Sequence, residues 1–163
     1  MAANLIADIT IHLLNIYQSM GRILAIDYGR KRCGVAVTDS LRIAANGLPT
    51  VRSCDLITFL KDYSSREKVD LIVVGLPTTM SGAPSESTRY IEPFLRQLGR
   101  ELPHIAVERF DERFTSTIAH REMIAGGVRR MERRNKELAD EMAAVLILTG
   151  FLDSRLYSEK YAH

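Results

Sequence analysis

The chain has 163 residues, a net charge of +2, and 46% apolar and 26% charged residues. That length suits one domain around one sizeable core, and the composition is that of an ordinary soluble globular protein. So small a net charge excludes any argument for a polyanionic partner from bulk charge; only the distribution of charge along the chain can make one.

Residues 1–20, MAANLIADITIHLLNIYQSM, interrupt their apolar stretch with Asp8, His12 and Asn15, and no basic segment precedes it. A signal peptide is therefore not expected. Leu5, Ile9, Leu13 and Ile16 fall on one helical face. Met20 before GRILAIDYG reads as a natural start, so 1–20 is taken as an N-terminal extension, 21–157 as the domain and 158–163 as a tail.

RILAIDYG reads as a buried strand, and CGVAVTD as a second strand paired to it through the GRKR turn. AANGLPTVRS supplies a third strand or an irregular edge, because Pro49 argues against a central position. Leu56, Phe59, Leu60 and Tyr63 form an i, i+3, i+4, i+7 stripe, hence a helix, with Cys54-Asp55 placed to cap it. VDLIVVGLP is a β-branched, apolar run of the kind buried on both faces in parallel pairing. After the polar loop TTMSGAPSES, a second helix carries Tyr90, Ile91, Phe94, Leu95 and Leu98 as its stripe, with Pro93 inside as a possible kink. HIAVERFDER is a strand ending on acids. TSTIAHREMIAGG reads as a helix stopped by Gly126-Gly127, VRRMERRNK as a charged loop, and ELADEMAAVLILTGFLDSRL as an apolar closing helix. The order β-β-β-α-β-α-β-α-α gives the α/β class: a mixed central sheet flanked by helices.

Three carboxylates stand beside buried elements: Asp27 at the end of the first strand, Glu112 after HIAVERF, and Asp140 near the start of the closing helix. Parallel strands bring their C-terminal ends to one rim, so Asp27 and Glu112 can meet there. Asp140 joins them if the AAVLIL face packs on the sheet with its beginning toward that rim. Clustered acids repel unless a cation neutralises them, and Mg²⁺ or Mn²⁺ prefers such hard oxygen ligands. Two such ions about 3.5–4 Å apart can hold the attacking and leaving oxygens of a phosphodiester. Taken singly, each acid also has a plainer role. Asp27 could cap the turn before Gly29, Glu112 could pair with Arg109 or Arg113, and Asp140 could be a first-turn helix acid favoured by the dipole. Asp39, Asp111 and Glu141 are further carboxylates that could stand in for one of the three.

Cations form a second constellation. Between 121 and 136, Arg121, Arg129, Arg130, Arg133, Arg134 and Lys136 face only Glu122 and Glu132, a local balance of +4. Arg30, Lys31 and Arg32 add a cluster beside Asp27. Such a distribution suits a phosphate backbone and salt-sensitive binding; the plainer reading is a solvated charged loop. Aromatic interleaving in 121–136 is poor, so base stacking is not signalled there. Cys33 and Cys54 have no metal-ligand spacing and no C-x-x-C arrangement, and read as reduced, cytosolic thiols. No apolar run reaches the roughly 20 residues of a membrane span.

DYGRKRCGVAVTD fits a D-x-G-x-x-R-x-G opening, IVVGLPTTMSG a strand and G-x-P loop, FDERFTS a central acid motif, and ADEMAAVLIL a final D-x-x-A-A helix. Four motifs in order over residues 21–155 make the chain resemble the YqgF family, also called RuvX: pre-16S rRNA nucleases once proposed as Holliday-junction resolvases. The resemblance implies a ribonuclease H-like fold and carries the family's acidic triad onto Asp27, Glu112 and Asp140 as catalytic metal ligands for Mg²⁺ or Mn²⁺. It matches Arg32 and Arg113 to arginines near the phosphates, Gly29 and Gly34 to turn glycines, and Thr115 and Ser116 to a polar pair. The loop TTMSG lacks the asparagine expected after G-x-P.

The expectation is a metal-dependent phosphodiesterase, a hydrolase processing the 5′ end of pre-16S rRNA on a ribosomal precursor particle in the cytoplasm, as a monomer or weak dimer without membrane contact. Lys31, Arg32, Arg113, Arg129, Arg130, Arg133 and Arg134 would hold the backbone. The alternatives are a resolvase of four-way DNA junctions, with branched DNA as partner, and a non-catalytic RNA-binding factor in ribosome assembly. A sugar-kinase-like ATPase also uses an Asp-x-Gly turn, but needs a duplicated domain for which 163 residues leave no room.

Overall fold

The computed structural model describes residues 20–76, 88–111 and 136–154, together with 6 and 9–11 of the N-terminal segment. Its elements are β1 (Arg22–Asp27), β2 (Arg32–Thr38), β3 (Ala45–Arg52), α1 (Leu56–Arg66), β4 (Val69–Leu76), α2 (Thr88–Glu101), β5 (Ala106–Asp111) and α3 (Lys136–Leu152). The strands form one sheet in the order β3-β2-β1-β4-β5. β1 pairs antiparallel with β2, and β2 with β3. β1 and β4, and β4 and β5, pair in parallel.

Each strand does what its sequence asks. β4 is buried along nearly its whole length and sits between two parallel partners. β3, which contains Pro49, lies at the edge, where a missing N–H breaks no inner ladder.

Alternation along β1 sorts its side chains between two cores. Leu24 and Ile26 join Cys33, Val35, Ile72 and Val74 beneath α1 and α2, whose Leu56, Leu60, Ile91, Phe94 and Leu98 fill that face. Ile23 and Ala25 join Ala36, Leu71 and Val73 on the other face. There α3 lays down Ala144, Ile147, Leu148 and Phe151, and Phe151 meets Phe110 edge-on at 6.0 Å. By the same alternation Asp27 belongs to the α3 face.

Two local expectations change. Asp55 occupies the N-cap of α1 but makes no side-chain cap bond; its carboxylate is taken by Arg52 Nε at 2.6 Å. Tyr90 does not join the α2 core: it is 43% exposed. Pro93 is accommodated within α2, on its exposed side.

At the rim opposite Asp27, Arg42 holds a positive φ of 58°. Its Nε donates to Gly21 O at 2.9 Å and its Nη2 to Asp70 Oδ2 at 2.6 Å. The two donations lock the β2–β3 hairpin to the starts of β1 and β4. Cys33 and Cys54 are both free thiols. Among the described residues, no helix is long and apolar enough to cross a membrane.

Candidate active site

β1 ends at Asp27, β4 at Leu76 and β5 at Asp111, and all three run the same way, so their C-terminal ends share one rim. Antiparallel β2 begins at that rim with Arg32. In the β1–β2 register, Asp27 stands opposite Gly34. Gly34 lies inside β2, not in the turn; the turn glycine is Gly29, where a Cβ would overlap Arg32 O.

What Gly34 does is explained by α3. A Cβ at Gly34 would overlap the carbonyl of Asp140 and stand 3.4 Å from Ala144 Cβ. A glycine inside a strand commonly marks such a close backbone approach. The bare backbone at Gly34 therefore lets the second turn of α3 settle on the sheet directly beside Asp27. The α3 core side chains Ala144, Ile147 and Leu148 hold it there.

The electrostatics show the consequence. Burial, and then the charge of Asp140, push the Asp27 carboxyl from 3.8 up to about 6. Two acids from opposite ends of the chain are thus close enough to repel. Arg32 Nε lies 2.6 Å from Asp140 Oδ2. Among the described residues this buried oxygen has no partner besides Arg32. Two carboxylates brought together, and only one of them ion-paired among the described residues, make an all-oxygen donor set that fits a hard divalent cation.

In front of Asp140 opens a cavity of about 530 Å³ lined by Gly29, Arg30, Lys31, Arg32 and Asp140. Arg30 and Lys31 are exposed at its mouth. Three cations against one carboxylate make it net positive and suited to an anion such as a phosphate.

Two of the other candidate acids, Asp39 and Glu141, are employed elsewhere. Asp39 Oδ1 accepts from Ile43 N at 2.8 Å and Ala44 N at 2.9 Å, at the far end of β2. Those backbone donors hold its carboxyl below the usual range. The Glu141 side chain occupies the space above Gly47 in β3. Glu112, Arg113, Thr115, Ser116, Arg129, Arg130, Arg133 and Arg134 lie outside the described residues, as do the loop expected over 78–87 and the helix expected over 115–127. Among the described residues no group of three metal-ligating side chains is gathered; Asp27 and Asp140 are the two acids that meet.

Residues 21–154 match the family model described as RuvX: Holliday junction resolvase. The chain belongs to the RuvX family. A Parabacteroides distasonis protein named "Putative pre-16S rRNA nuclease" is 51% identical over 138 residues, spanning 85% of this chain and 99% of that one. A Porphyromonas gingivalis protein of the same name is 52% identical over 135 residues, spanning 83% and 98%. Among solved structures, Thermus thermophilus RuvC superposes on this RuvX-family chain with a TM-score of 0.54 at 14% identity, covering 80% of this chain and 94% of RuvC. RuvC in complex with a Holliday junction gives 0.50 at 14% identity, covering 86% and 96%. At that identity the likeness concerns the fold, which is ribonuclease H-like, as expected.

Proposed function

We propose that this RuvX-family protein is a divalent-metal-dependent nuclease that hydrolyses phosphodiester bonds in precursor 16S rRNA, in the cytoplasm. The observation that carries the reading is the meeting of Asp27 and Asp140 across Gly34, at the rim where the parallel strands end. The relatives' name supplies the substrate class.

Asp27 and Asp140 would hold Mg²⁺ or Mn²⁺, with Glu112, next in sequence after β5, as a third ligand. A divalent cation bound there would lower the pKa of water and neutralise charge developing on the phosphoryl oxygens. Asp27, titrating near 6, is mostly ionised at neutral pH and so ready to ligate. Its place at the end of a buried strand fixes it before substrate arrives, so little reorganisation accompanies the reaction. Lys31 would take a phosphate beside the site, with Arg113, Arg129, Arg130, Arg133 and Arg134 extending the backbone contact. Arg32 keeps Asp140 compensated in the absence of other cations.

The test is cleavage of precursor 16S rRNA by purified protein with Mg²⁺ or chelator, beside the Asp27→Asn variant and a four-way DNA junction as alternative substrate. The reading expects rRNA cleavage that both chelator and the variant abolish. Preference for the junction would move the substrate to branched DNA. Cleavage indifferent to chelator and to the variant would remove the mechanism.

A further inference from the structure

Immediately after Asp27, the chain is docked along α2 by two aromatic contacts of different character. Tyr28 stacks on Phe94 with centroids 4.6 Å apart and planes 22° off parallel; Phe94 is a core residue, and the contact is structural. Two residues on and one helical turn back, Arg30 Cζ sits 4.7 Å from the centroid of Tyr90. Here the ring is 43% exposed and closes no core. Among the described residues no carboxylate forms an ion pair with Arg30. An exposed cation–π contact stabilises a fold by only about 0.5–1 kcal/mol, so stability gives it little reason to lie where it does. It lies at the mouth of the cavity that holds Asp140, since Arg30 also lines that cavity.

An aromatic ring capped by a guanidinium, beside a cationic cavity, is the pairing that single-stranded nucleic acids use: the base stacks on the ring and arginine while the phosphate turns to the cations. We propose that Arg30 and Tyr90 form a base-stacking platform for an unpaired nucleotide next to the scissile phosphate. The substrate is then single-stranded or frayed where it enters the site, because a base held in a duplex cannot leave its neighbours to lie on this ledge. The proposal rests on the nuclease reading and deepens it by naming the strand state of the substrate.

The test uses fluorescence anisotropy of the full chain with a short oligoadenylate, with an all-abasic strand of the same length, and with oligoadenylate annealed to its complement. Ca²⁺ replaces Mg²⁺ so that binding is read without cleavage. Tyr90→Ala should weaken oligoadenylate binding about tenfold while leaving the abasic strand and the duplex unchanged. Tyr90→Phe should keep wild-type affinity for all three, and Arg30→Ala should weaken all single strands, the base-bearing one most. Loss of equal size on abasic and base-bearing strands, or no loss on either, would overturn the platform. If wild type cleaves precursor rRNA and Tyr90→Ala keeps the wild-type preference for base-bearing over abasic strands, the platform alone falls. If wild type neither binds nor cleaves any of these strands, the nuclease reading falls with it.

Discussion

Gly34→Ala tests how the two acids are brought together. The added methyl would meet the main-chain carbonyl of Asp140, which cannot swing aside as a side-chain tip can. Either α3 lifts from the sheet or β2 bows away from it. Overpacking of this kind costs about 1–3 kcal/mol. For a chain of this length each kcal/mol moves Tm by about 2–4 °C, so a fall of about 2–12 °C is expected in a thermal melt. A second readout is specific to the site. As Asp140 recedes and the Asp27 pocket opens, the Asp27 carboxyl should titrate lower, moving from about 6 toward 3.8, as followed by carboxyl-carbon NMR. Gly99→Ala is the control: a Cβ there meets nothing within 4 Å, and inside α2 alanine should stabilise by about 0.5–1 kcal/mol. A Gly34→Ala protein as stable as wild type, with Asp27 titrating unchanged, would refute the reasoning.

Asp27→Asn should raise stability at pH 7.5 by about 1–2 kcal/mol while stopping cleavage, a figure kept below the full shift because the carboxyl retains some contact with solvent. The wild-type carboxyl titrates near 6 folded against 3.8 unfolded, so its contribution is full below 3.8 and lost as pH rises through 6. Urea denaturation from pH 3.5 to 8 should show that fall in wild type and not in the variant. Magnesium at about ten times its dissociation constant should stabilise wild type by ~1.4 kcal/mol, and Asp27→Asn and Asp140→Asn should each lose that thermal shift. At the opposite rim, Arg42→Ala loses the Asp70 and Gly21 contacts and keeps the unfavourable φ. Arg42→Gly loses the same contacts but relieves the backbone, so it should be the milder change by about 1 kcal/mol in the same denaturation assay.

Much of this architecture was legible in the residues because burial writes a strong pattern. The run from Ile23 to Ile26 could end on Asp27 only at a rim, Pro49 assigned β3 to an edge, and Ala144 to Leu148 required a sheet beneath them. Asp55 takes the expected cap position of α1 but not the cap bond, because it has a rival partner in Arg52, three residues back at the end of β3. The α2 stripe included Tyr90 because adjacent positions on a helix differ by about 100°; Ile91 takes the inward place and turns its neighbour out. The sequence motif places Gly34 in a turn, since nothing local shows that a helix more than a hundred residues later rests on it. The pairing of Arg30 with Tyr90 is invisible for the same reason. Neither segment is aromatic-rich, and the platform exists only once Tyr28 has docked on Phe94.

One helix both seals the second core and presents an acid. Its apolar residues fix its seat on the sheet, and Asp140 lies one turn before Ala144, the first of them. Inserting a single residue between the two would leave the seal in place but turn the carboxylate about 100° around the axis, out of reach of its partner on β1. In this protein the spacing within α3 decides whether the two acids meet as much as the identity of the acids does.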